Sequence, residues 1–116
     1  MKPRQSMVRL KMFQVREKRR EIAQLEIMIK EFKQMVLELE AQIASEERKS
    51  GNDDIYHFAY STVARAARKR QDNLTDSIRD LQRQKENAEI TLHEVETELQ
   101  RIQFLEVREN KKAVGE

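Results

Sequence analysis

Few residues in this chain have the makings of chemistry, and their spacing decides what they can do. Cysteine is absent, so thiol reactions and disulfides are excluded. Glu89, His93 and Glu96 fall on one side of a helix and are zinc-binding types. A solvated charged face accounts for them better: no Glu-x-x-His pair exists, since Ile90 stands three places before His93. Asn52, Asp53 and Asp54 begin like a calcium loop but lack its remaining oxygen ligands. With glycine only at Gly51 and Gly115, no G-x-x-x-x-G-K-[ST] phosphate loop can be built. The chain is expected not to be an enzyme, and no cofactor or metal is expected.

Binding chemistry remains, at two places. The first is a basic stretch, Arg9, Lys11, Arg16, Lys18, Arg19 and Arg20, with Phe13 among them. Residues 1–20 hold eight Lys and Arg against Glu17 alone, a balance of +7 within a chain of net +2, so the remainder carries −5. A cationic end attracts an acidic partner surface or nucleic acid, although it can also be a solubilising face. The second is Ile55-Tyr56-His57-Phe58-Ala59-Tyr60, which holds both tyrosines of a chain only 5% aromatic. Tyr56, His57, Phe58 and Tyr60 are candidates for a docking patch, the alternative being self-packing of a turn.

The elements that position these residues follow from a seven-residue ladder. Val8, Val15, Ile22, Ile29, Val36 and Ile43 are all aliphatic and β-branched, and a heptad this regular requires one helix with one apolar seam. Their partners Lys11, Lys18, Leu25, Phe32, Leu39 and Glu46 make the seam apolar in its middle and polar at both ends. A second ladder, Ala67, Leu74, Leu81, Ala88, Val95 and Ile102, is accompanied by Gln71, Ile78, Lys85, Leu92, Leu99 and Glu106. Paired as Ile43 with Ala67, Val36 with Leu74, Ile29 with Leu81, Ile22 with Ala88, Val15 with Val95 and Val8 with Ile102, all six pairs are centred on residue 55.

That symmetry predicts an all-α fold, a long antiparallel two-helix coiled-coil hairpin forming a single domain. The first helix is expected over about 5–49, the connection over 50–60, the second helix over about 61–110 and a loose tail over 111–116. Gly51 supplies the helix stop and Ser61-Thr62 a cap. A register shifted by seven fits the pattern almost as well, and a helix continuous from Asp53 is an alternative start. A parallel dimer of straight helices is disfavoured by the break at Gly51. Lys18, Gln71 and Lys85 read as register devices or lysines whose stems lie along the seam; Met28 and Met35 read as edge packing.

Composition agrees. Charged residues make up 38% of the chain, which is long-helix composition. No stretch approaches the ~20 apolar residues of a membrane span, and no apolar run marks a secretory signal, so no membrane insertion and a cytoplasmic location are expected. Basic residues followed by heptads invite comparison with a bZIP transcription factor. The first asparagine, however, is Asn52, far from the basic stretch, and the break at Gly51 turns the helix back. Sequence-specific nucleic-acid binding is therefore not expected.

Two stretches resemble the flagellar export protein FliJ family in its alphaproteobacterial form. They are Arg9-Leu10-Lys11, Phe13-Gln14-Val15, Glu17-Lys18-Arg19-Arg20, Met28-Ile29 and Glu31-Phe32, then Gly51, Asp54, His57-Phe58-Ala59-Tyr60, Ala64, Ala66-Ala67, Arg70 and Asn73-Leu74. They cover residues 9–74, and Ser61 departs from the proline expected after the tyrosine. The resemblance implies a non-catalytic stalk and chaperone-like adaptor of type III flagellar export, without cofactor. Its implied partners are a hexameric export ATPase, a component of the transmembrane export gate and export chaperones, at a cytoplasmic site peripheral to the membrane apparatus. The basic end would meet the ATPase and the aromatic turn the gate. A general coiled-coil assembly or chaperone module is the alternative.

Overall fold

The computed structural model describes residues 3–114; the side chains of 113 and 114 are outside that description. Two helices account for most of it: α1 runs Pro3–Ser50 and α2 runs Thr62–Val114. The chain is an all-α antiparallel two-helix coiled-coil hairpin. α1 exceeds its expected bounds at both ends and α2 at its C-terminal end. Pro3 suits a first helical turn, where its missing N–H has no partner to lose. At the other end the predicted loose tail is helical through Val114, with Lys111 and Lys112 in the last turn, where cations suit the exposed carbonyls. The last two positions of that predicted tail lie outside the described residues.

The described residues divide into two compact units. The turn unit is Leu25–Arg83 and carries two apolar clusters. Leu25, Ile29, Ile78 and Leu81 form one, with Phe32 and Val36 packed against it; Leu39, Ile43 and Ala67 form the other, with Leu74 against it. Ile29 with Leu81 and Ile43 with Ala67 thus share clusters as the ladder pairing predicts. Gln71 sits in this seam and crosses it, donating from Nε2 to the Val36 carbonyl at 3.3 Å and to Glu40 Oε2 at 2.6 Å. A polar seam residue bonded across the helices favours one register over its neighbours.

The terminal unit comprises the described residues through Gln24 and those from Gln84 onward. Val15, Ala88 and Ile102 are buried here but belong to neither apolar cluster, and the seam positions Lys11 and Lys18 are partly buried. Polar pairs across the helices take over: Lys11 with Glu98, Arg19 with Glu96 and Arg4 with Glu109.

Between the helices, the connection is held by hydrogen bonds within itself and to the ends of both helices. Gly51 adopts φ +69° and its N–H reaches the Glu47 carbonyl at 3.0 Å, ending α1 in a left-handed cap. Asn52 Oδ1 accepts from the Asp54 N–H at 2.9 Å, and Asp54 Oδ1 from the Tyr56 N–H at 3.0 Å. These successive side-chain turns explain the Asn-x-Asp spacing without a metal. Ser61 Oγ accepts from the Ala64 N–H at 3.2 Å, so it is the cap of α2, and no helix continues from Asp53.

Candidate functional site

The connection separates its four aromatic candidates into two groups. Tyr56 is 90% exposed and Phe58 95%, while the exposed His57 ring stacks on Phe58 with centroids 4.6 Å apart. His57 also orders the backbone: its Nδ1 accepts from the Ala59 N–H at 3.0 Å, and its carbonyl accepts from the Tyr60 N–H at 3.1 Å. These three rings are presented outward on a hydrogen-bonded frame.

Tyr60 corrects the sequence-based expectation. It is only 3% exposed and cannot serve as a docking surface. Its hydroxyl donates to Glu47 Oε2 at 2.8 Å and accepts from Arg68 Nε at 2.8 Å; Arg68 Nη2 reaches the same Glu47 oxygen at 3.0 Å. The Arg65 guanidinium lies 5.3 Å from the Tyr60 ring centroid. Hydrogen bonds from Tyr60 and Arg68 hold the Glu47 carboxyl below its usual range, and the Arg68 guanidinium is pushed upward by Tyr60 and Glu47. This three-residue knot closes the turn, joining α1, the connection and α2. The tyrosine faces inward because its hydroxyl is held by Glu47 from α1 and Arg68 from α2.

The basic stretch is also reorganised by folding. Four of its six cations are paired: Lys11 with Glu98, Lys18 with Glu21 at 2.8 Å, Arg19 with Glu96 at 3.0 Å and Arg20 with Glu17 at 3.5 Å. Lys11 holds the Glu98 carboxyl below its ordinary range by hydrogen bond and charge. Arg9 and Arg16 are exposed and make no ion pair among the described residues, and Phe13 is about half exposed. The cationic surface open to a partner is thus narrower than the sequence suggests. Two of the pairs, Lys18 with Glu21 and Arg20 with Glu17, lie within α1; the other two come from the antiparallel return, which lays Glu98 and Glu96 of α2 beside Lys11 and Arg19.

Exposed apolar side chains that the sequence reading passed over lie in both units: Met7, Leu10, Met12, Ile90, Phe104 and Val107 in the terminal unit, and Ile27, Leu37 and Val63 in the turn unit. They were findable as large apolar residues off the heptad seam. In the turn unit, a shallow depression is lined by Leu39, Gln42, Thr62, Val63, Ala66, Ala67 and Arg70, where alanines fill less of the inter-helix surface. Among the described residues no cluster of three His, Asp or Glu is arranged to hold a metal ion, and no helix is long and apolar enough to cross a membrane. No protein-family model, curated protein or solved structure matches the chain.

Proposed function

We propose that this chain is a non-catalytic stalk and adaptor of the flagellar type III export apparatus, in the manner of the FliJ family that its motifs resemble. It acts by binding, in the cytoplasm, joining a hexameric export ATPase to a component of the transmembrane export gate. One observation carries the reading: a hydrogen-bonded turn holds Tyr56 and Phe58 almost wholly in solvent, in the segment that bears the family-like His-Phe-Ala-Tyr. Exposed aromatics on an ordered frame lose little conformational freedom on docking, which favours a binding role. Arg9, Arg16 and Phe13 offer the second contact, suited to an acidic surface with apolar recesses.

Two binding measurements test this. The chain should bind the export ATPase in a salt-sensitive way, and Arg9→Glu with Arg16→Glu should weaken that binding. Tyr56→Ala with Phe58→Ala should impair binding to the cytoplasmic part of the gate while helicity stays intact. Wild-type chain that binds neither partner overturns the proposal. An alternative, a coiled-coil assembly module without ATPase, is favoured by the internal neutralisation of four basic-stretch cations; it predicts export-gate or chaperone binding alone.

A further inference from the structure

Outside the seam, each helix of the terminal unit has a second face, and the two are opposite in charge. On α1, Arg9, Met12, Phe13 and Arg16 follow i, i+3, i+4, i+7 spacing and therefore share one side; all four are exposed. On α2, Glu86, Glu89, Ile90 and Glu94 share one side and are likewise exposed. None of the five charged residues forms an ion pair among the described residues. The α1 face is apolar at its centre and basic at its ends. The surface that would cover it is apolar at its centre and acidic around it, which is the description of the α2 face.

Within one molecule both faces are exposed, so neither covers the other. We propose that the α1 face of one copy packs on the α2 face of a second copy, in a two-fold pair that uses each face once per chain. Few large side chains take part, so the pair is weak, with a dissociation constant on the order of 10–100 µM. Unpaired guanidinium and carboxylate groups meeting across it make the association fall steeply with salt. Arg9, Phe13 and Arg16 also belong to the surface offered above to an acidic partner. Pairing and docking then exclude each other, although the pairing itself does not depend on that docking.

Sedimentation equilibrium of the full chain at low salt tests the proposal, with circular dichroism confirming that each variant stays helical. The expected result is a monomer–dimer equilibrium weakened about tenfold or more at high salt. Arg9→Glu with Arg16→Glu should be monomeric, and so should Glu86→Lys with Glu89→Lys and Glu94→Lys. Mixing these two variants should restore a pair, because each then meets its complement at both contacts. A monomer at every concentration overturns the proposal, as do pairs that survive either reversal or reversed variants that ignore each other. Chain that stays monomeric and binds phosphatidylglycerol vesicles through the same α1 residues also overturns it, by naming another occupant.

Discussion

The Tyr60 hydroxyl donates a 2.8 Å hydrogen bond to Glu47, fastening the end of the connection to the last turns of α1. Four residues earlier in the chain, Tyr56 makes no such attachment with its ring and stands in solvent. Tyr60→Ala removes a buried ring and should cost about 3 kcal/mol of stability. Tyr56→Ala and Phe58→Ala should each stay within about 0.5 kcal/mol, as surface substitutions do. Urea unfolding followed by circular dichroism measures all three; equal losses would contradict the division between inward and outward aromatics.

Ile43 is 1% exposed at the centre of the second cluster in the turn unit. Ile43→Ala should destabilise by about 2–4 kcal/mol, the range for deleting a buried aliphatic chain. Phe104→Ala, though it removes a larger side chain, should change stability by under about 0.5 kcal/mol because the ring is exposed. Thermal unfolding of the two variants against wild type decides the comparison.

Gly51→Ala isolates backbone strain. A Cβ at this position meets nothing within 4 Å, so crowding is not the issue. The cost comes from φ +69°, which an L-residue with a side chain adopts at about 1–2 kcal/mol. Gly51→Asn should recover part of it, since asparagine tolerates the left-handed region better. Chemical denaturation of both variants gives the order.

Acid should loosen the hairpin. Glu47 and Glu98 are both held below their ordinary value of 4.5, by Tyr60 and Arg68 and by Lys11 respectively. For a depressed carboxylate the unfolded chain binds the proton first on acidification. The stabilisation is therefore complete above about 4.5 and is lost as pH falls below it through the folded values. Glu47→Gln with Glu98→Gln should flatten that part of the stability profile. A melting temperature whose dependence between about pH 5 and 2 matches wild type would refute the assignment.

Amide hydrogen exchange should distinguish the two units. The apolar clusters belong to the turn unit, whereas the terminal unit relies on buried residues outside those clusters and exposed ion pairs worth roughly 0–1 kcal/mol each. Amides around Ile29 and Ile43 should exchange more slowly than those around Val15 and Ile102, which local opening exposes more often.

How much of this was legible in the sequence depends on range. The ladders could be read because a seam obeys a local seven-residue rule, and the cap at Ser61 and stop at Gly51 are local too. The inward turn of Tyr60 was not legible, since it depends on Glu47 and Arg68, which the turn brings to one place. Nor was the cross-helix part of the neutralisation of the basic stretch: Arg19 meets Glu96, 77 positions away. Charge summed along a chain misjudges the charge that a folded surface displays. The α2 end was misplaced because Asn110 and the two lysines look like a tail, yet lysine is compatible with a final helical turn.

The connection's hydrogen bonds fasten it to itself and to both helix ends, and that bears on how such a chain could go astray. Long paired helices invite arm exchange, in which the bend straightens and two chains embrace along their whole length. Here straightening would forfeit the Gly51 cap, both Asx turns, the Ser61 cap and the knot around Tyr60 together. The bend thus guards the chain against entanglement with its own copies.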